Sequence, residues 1–359
     1  MKKFNKTFIN NAITYALVIA AFIIMTVLME AGMLTRSMKG QLVPICVYIV
    51  MAVSLNLTVG ISGELSLGHA GFMSVGAFTG AVAAACLANV VPNDTLRLIL
   101  SMIVGGVIAA IAGVIIGVPV LRLRGDYLAI VTLAFGEIIR NVINCLYIAL
   151  DGSRLVFGFN TPLTQAVDRT AAGIPFQIII NGPQGATING KLSTFTMGFV
   201  LVMVSLVVVL NLVNSRSGRA IMAIRDNRIA AESVGISATK YKMMAFVISA
   251  TLAGMAGALY SLNYSSVTAS KFKFDTSILV LVFVVLGGIG NIRGSVIAAA
   301  LLTILPELLR AFNDYRMLIY AIVLILVMLV SNNARFKQLS ESLVDKIRGK
   351  KSEEGGAEG

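Results

Sequence analysis

The chain has 359 residues, 57% of them apolar and only 13% charged, with a formal net charge of +12. Globular domains carry charge on about a quarter of their positions, so a soluble protein of two or three domains does not fit. The positive excess is a poor argument for nucleic acid, because in a membrane protein it collects on cytoplasmic loops.

Five stretches contain no charged residue: 40–63, 98–120, 192–215, 243–270 and 317–334. Each is long enough to cross about 30 Å of hydrocarbon as a helix. In chain order the pattern predicts about ten crossings, at 9–29, 41–59, 66–88, 98–120, 127–149, 195–213, 243–264, 276–291, 294–310 and 316–331. The expected class is an all-α polytopic membrane protein with about 8–10 transmembrane helices. Gly and Pro interrupt the third, eighth and ninth crossings, which leaves half-helices or re-entrant segments open there, shielded by protein. The first crossing follows Lys2, Lys3 and Lys6 and lacks a small-residue cleavage site, so it is expected to be retained.

With the N-terminus inside, 18 of the 29 Lys and Arg residues fall on cytoplasmic pieces and 10 on the opposite side, which places both termini in the cytoplasm. Residues 1–334 are expected as the transmembrane domain. Within it, 150–194 is a polar external loop with room for short local structure, and 214–242 is the longest internal loop. The tail, 335–359, repeats Phe336, Leu339, Leu343 and Ile347 among basic residues. That is amphipathic spacing for the inner membrane surface, before a disordered end.

Four segments carry chemistry. The first, Gly60 to Phe78, has five glycines in nineteen positions, which lets helices approach closely. Its serines can satisfy backbone groups freed at a helix break. Glu64, Ser66 and His69 are candidates for a translocation path, and the other reading is a packing motif whose polar groups serve the backbone. His69 is the only histidine; a metal site needs several ligands, so none is expected. A histidine bonded to a neighbouring backbone carbonyl is expected instead, with a pH-sensitive group as the alternative.

The second segment is Gly125 to Asn144. Glu137 and Arg140 stand three apart on one helix face and should pair. They serve either as a structural ion pair or as a polar lining for a zwitterion. The third is the 214–242 loop. Asp226 is expected to cap a short helix, Ala230 and Ala231 to give it a close-packing face, and Gly235 to end it in the left-handed conformation. Ser237 starts the next helix. A soluble partner could grip such a helix; an ordinary basic loop held by lipid headgroups is the other reading. The fourth is Val284 to Leu309, where Gly287, Gly288, Gly290 and Gly294 mark a tight turn and Arg293 lies at the inner interface. Cys46, Cys86 and Cys145 are odd in number, widely spaced and in apolar runs, as packing residues are.

The 214–242 loop resembles the cytoplasmic loop of ABC importer permeases, in which two alanines stand four and five residues before a glycine, here Ala231, Ala230 and Gly235. It departs at Ile229, where an acidic residue is usual, and so resembles the branched-chain amino acid permease family more closely, over Gly218 to Lys242. The other three segments resemble the same family, and the four lie in the expected order through most of 54–310. The family's glycine–glycine–proline–asparagine–glycine stretch finds its nearest match at Asn181 to Gly185, displaced by an insertion around 151–180.

The resemblance implies a coupling helix docking in a groove of the ATPase, with Arg225, Asp226, Ala230, Ala231, Glu232 and Gly235 as contact residues. It further implies two ABC ATPase subunits, a second permease subunit, a periplasmic substrate-binding protein and a place in the bacterial inner membrane. The chain has no GxxxxGK[ST] phosphate loop and no catalytic constellation. It is therefore expected to be a non-catalytic subunit that binds no cofactor, with ATP used by its partners. The alternatives are an ion-coupled secondary transporter, which also has broken helices and midplane charges, and an ABC permease for urea or another amino acid.

Overall fold

A computed structural model describes residues 6–88, 90–123, 125–151, 154–160, 176–188 and 190–309, with isolated positions at 315, 318, 319, 321, 322 and 325. Eleven α-helices are described: α1 (Lys6–Glu30), α2 (Arg36–Asn56), α3 (His69–Cys86), α4 (Asp94–Val120), α5 (Asp126–Asn144), α6 (Phe195–Asn214), α7 (Arg216–Asp226), α8 (Arg228–Ser233), α9 (Ala238–Ser261), α10 (Phe274–Gly287) and α11 (Ile292–Leu308). Six of them, α1, α2, α3, α4, α6 and α9, are long and apolar enough to cross a membrane. The uncharged runs become helices because only a helix or a closed barrel satisfies every backbone group within lipid. Three of them, α2, α4 and α6, start at a capping side chain: Thr35 Oγ1 accepts from Met38 N, Asn93 Oδ1 from Thr95 N, and Thr194 Oγ1 from Met197 N.

Helix α9 packs along both α3 and α4, and α2 lies against α9, α6 and α10. Small residues permit this. A Cβ on Gly76 of α3 would strike the backbone of Gly254 on α9, and one on Gly257 would strike Met73 O. In a membrane the helices gain little from apolar burial against each other, so close backbone approach and dispersion carry the packing. Helix α1 lies at the periphery, stacking Phe22 on Phe195 and Phe199 of α6. By compactness the chain forms one unit through Thr303 and a second from Ile304. Of the second, only Ile304–Leu309 and the isolated positions are described.

The expected crossings differ from the helices at the third, fifth and eighth, and the ninth, α11 with 17 residues, also falls outside the group long and apolar enough to span. The third begins at His69, because 62–68 is irregular. The fifth stops at Asn144, where the chain turns into a strand; α5 also carries Asp126, Glu137 and Arg140 and falls outside the group apolar enough to span. The eighth is α10, of 14 residues, which at 1.5 Å per residue is about 21 Å long and too short to cross alone. Residues 316–331 and the tail 335–359 lie outside the described residues apart from the isolated positions.

The 150–194 segment holds more order than a polar loop. With residues 146–149 and 266–267 it forms a five-stranded antiparallel sheet of order β2–β1–β3–β4–β5, comprising β1 (Leu146–Asp151), β2 (Arg154–Phe159), β3 (Phe176–Asn181), β4 (Ala186–Thr187) and β5 (Ser266–Val267). Ala149 pairs with Val156, and Ala186 with Val267. A bulge between Ile148 and Ala149 shifts the β1–β3 register. Residues 161–175 of the insertion are outside the described set. The sheet lies beyond the C-terminal end of α9 and the 215–237 loop precedes its N-terminal end. The two are therefore separated by a helix of 24 residues, or about 36 Å.

Candidate functional site

Helix α2 does not end cleanly. It loosens into one π-helical turn, Leu57–Ile61, and then into irregular backbone from Ser62 to Gly68. Irregular backbone at membrane depth must be satisfied by protein, and here side chains of α5 and α7 reach it, Thr132 at Leu67 N and Arg225 at Gly60 O. Asn56 accepts from Gly290 N at 2.8 Å and donates to Ser295 Oγ at 2.9 Å, tying the break to the turn between α10 and α11. Gly290 sits at φ +82°, and a Cβ on Gly60 would strike its backbone, so both positions need glycine.

The first turn of α3 has no side-chain cap, since Gly68 holds that position. Its neighbourhood is served from a distance: Thr132 Oγ1 of α5 accepts from Leu67 N at 3.1 Å, and Ser277 Oγ of α10 accepts from Ala70 N at 3.0 Å.

The path candidates lie as follows. Glu64 pairs with Lys242 near the start of α9, with side chains only 11% and 14% exposed. His69 Nε2 stands 2.8 Å from Ser54 Oγ, so its partner is a hydroxyl and not the expected carbonyl. Ser54 Oγ donates to Met51 O at 2.9 Å, and Ser54 O accepts from Ser249 Oγ at 2.5 Å. Ser66 is buried, and its hydroxyl finds no partner among the described residues.

Glu137 and Arg140 pair as expected, through Arg140 Nη2 at 2.7 Å and Nε at 2.8 Å. Both are partly open, and with Asn141 and Asn144 they form a polar stripe along α5. These groups fall into a cluster around the break and a separate stripe on α5.

The 214–242 loop is two helices and a turn. Ser215 caps α7 through Gly218 N at 3.1 Å. Helix α8 is capped by Asn227, not Asp226: Asn227 Oδ1 accepts from Ala230 N at 3.0 Å. A cap residue must be extended, and Asn227 is, with φ −153° and ψ 103°, whereas Asp226 is still the last helical residue of α7. Asp226 instead accepts from Arg225 Nη2 at 3.0 Å.

Gly235 ends α8 at φ +85°, and Ser237 precedes α9, both as expected. Ala231 is buried against Ile224 and Ala238, while Ala230 faces solvent and Glu232 accepts from Arg228 Nε at 2.9 Å. Ala231 therefore fastens α8 to its own chain. The outward face carries Ile229 and Val234, 82% and 74% exposed.

Two links escaped the sequence reading. Arg225 Nη1 donates to Gly60 O at 2.9 Å, across 165 positions, and its stem packs so close that a Cβ on Gly63 would meet Arg225 Cγ at 2.6 Å. Lys242 was unremarkable in a basic loop. The carbonyl freed by a π-helical turn and the counter-ion of Glu64 are both tertiary matters with no local signal.

A family model described as branched-chain amino acid transport system / permease component matches residues 37–328. The chain belongs to this family. The high-affinity branched-chain amino acid transport system permease protein LivM of Salmonella typhimurium is 37% identical to the permease over 301 residues, 79% of this chain and 66% of that one. LivM of Escherichia coli is 36% identical over 294 residues, with the same coverage. The permease thus spans just under two thirds of the length of these relatives. The permease protein LivH of Salmonella typhimurium is 31% identical over 152 residues, 41% of this chain and 49% of that one. No solved structure matches the permease significantly.

Proposed function

We propose that this permease is the non-catalytic transmembrane subunit of an ABC importer that moves branched-chain amino acids across the bacterial inner membrane. The substrate class rests on the family and on the names of the LivM relatives. The observation that carries the ABC reading is α8. A short helix outside the bundle, pinned to its own chain by Ala231, presents Ile229 and Val234 to water, and nothing in a mere connecting loop needs two exposed large aliphatic side chains so placed. A groove on an ATPase subunit would bury them. Two ATPases supply the ATP chemistry, a second permease completes the path, and a periplasmic binding protein delivers substrate at the sheet end. Both termini then lie in the cytoplasm.

The stripe of Glu137, Arg140, Asn141 and Asn144 belongs against water, because charged and amide groups at membrane depth face protein or an aqueous cavity. It lines the path at the junction with the second permease, where opposite charges meet the two ends of a zwitterion. Nucleotide-driven movement of the ATPases shifts α8. Arg225, joined to Asp226 on one side and to Gly60 O on the other, carries that shift to the break in α2. The break is held besides by Asn56 and by the Glu64–Lys242 pair. Transport is then an equilibrium between two packings biased through these contacts.

The test is co-purification in mild detergent of the assembled importer carrying Ile229→Asp and Val234→Asp, with Ile297→Asn on α11 as a control away from the loop. Loss of ATPase from the loop variant alone supports the reading. Retention of ATPase at full yield by the loop variant refutes docking at α8.

A further inference from the structure

Between α3, α4, α5 and the sheet lies an open crevice of about 540 Å³. Val104 and Ile108 of α4, Ile138 and Val142 of α5, and Leu155 and Phe157 of β2 are among the residues that line it. The lining hydroxyl, that of Thr79, is already given to Val75 O at 2.6 Å. Among the described residues no charged side chain lines it.

Its place in the membrane follows from α4. That helix begins at Asp94, and Val104 and Ile108 lie roughly 15 and 21 Å further along its axis at 1.5 Å per residue. The crevice therefore runs from the sheet end down to about the middle of the hydrocarbon. It is continuous with the exposed flank of α4, where Ile111, Ile115 and Val118 follow at helical spacing with no polar residue among them. A flank of that composition faces lipid tails.

The crevice has a roof. Strand β2 is the sheet's edge, and its alternate residues Leu155, Phe157 and Phe159 all stand exposed on one face. In water such an edge is a liability; at a membrane interface a face of Leu and Phe buries itself at the boundary between headgroups and acyl chains.

The choice of occupant turns on α5. At 100° per residue, the four residues of α5 that line the crevice, Ile138, Ile139, Val142 and Ile143, centre opposite the stripe of Glu137, Arg140, Asn141 and Asn144. If the polar stripe faces the second permease and the path, as proposed above, the crevice faces away from both. We propose that the β1–β2 hairpin rests in the outer leaflet and that the crevice beneath it holds a phospholipid acyl chain. The occupant is apolar and unbranched, entering along α4, with its headgroup at the level of the sheet.

The chain contains no tryptophan, so Phe157→Trp gives a single reporter in the full-length permease, with Phe159→Trp as a second. In liposomes, phospholipids brominated on the acyl chain should quench Phe157→Trp as they quench Ile115→Trp on the flank of α4, and aqueous iodide should not. Quenching by iodide in the manner of Ile229→Trp would put the hairpin in water and overturn the proposal.

In the assembled importer, a photoreactive benzoylphenylalanine at 157 should form adducts with phospholipid. Adducts with the second permease or the binding protein instead would make the crevice a protein interface, and would overturn the lipid assignment. Both readouts are independent of transport, so failure here is separable from failure of the ABC reading, which the co-purification decides.

Discussion

Neutralising Lys242 tests the break directly. Its ammonium pairs with Glu64 where both side chains are nearly closed off, at 14% and 11% exposure. Lys242→Met alone leaves a carboxylate buried without its counter-charge, which costs about 3–5 kcal/mol. At about 1.4 kcal/mol per factor of ten, that lowers the folded-to-unfolded ratio by roughly two to three and a half orders of magnitude. Glu64→Gln combined with Lys242→Met removes both charges and should recover most of the loss, because a buried pair and a neutral replacement of similar volume are close in energy.

The contrast lies in the same loop: Arg228 and Glu232 pair at 2.9 Å with 32% and 45% exposure, and breaking them should cost about 0–1 kcal/mol. The assay is a double-mutant cycle on equilibrium unfolding in mixed detergent micelles, run for both pairs. A coupling energy for Glu64 and Lys242 no larger than that for Arg228 and Glu232 would refute the argument that burial makes this pair a clamp.

Asn227→Ala removes the cap of α8 and should cost about 0.5–2 kcal/mol, seen as faster amide exchange across 228–233. Gly235→Ala puts a side chain at φ +85° and should cost about 1–2 kcal/mol, loosening the same segment. Asn56→Leu leaves Gly290 N without its acceptor, a loss of about 1–3 kcal/mol, read as a lower midpoint of unfolding. Gly76→Leu forces α3 from α9 and should sharply lower the yield of folded protein in the membrane. Gly40→Leu, where nothing lies within 4 Å, should leave it unchanged; equal yields would show that the α3–α9 approach is not what assembles the bundle.

Much of this was legible in the sequence, for reasons that are local. A run such as 98–120 has no charge to place in lipid, so it becomes a helix whatever surrounds it, and α4 spans Asp94–Val120. Glu137 and Arg140 are three apart, so helical geometry alone brings them together. Gly235 announced its positive φ because few other residues tolerate it. Asp226 misled because Asp and Asn cap about equally well, and only the backbone turn after Asp226 decides which of two neighbours is extended.

The rest required tertiary structure. The sheet depends on pairing β1 with residues some thirty positions away and on β5, which arrives after four further helices; alternation in such short strands is too weak to announce it. The partners of Glu64, Gly60 and Asn56 come from Lys242, Arg225 and Gly290, 165 to 234 positions distant. The sequence by itself determined the helices built on long uncharged runs, such as α2, α4, α6 and α9, since transfer free energy is a property of each segment. The fold decided what meets at the break, since a polar group buried there must be paired by whatever the packing of other helices brings within reach.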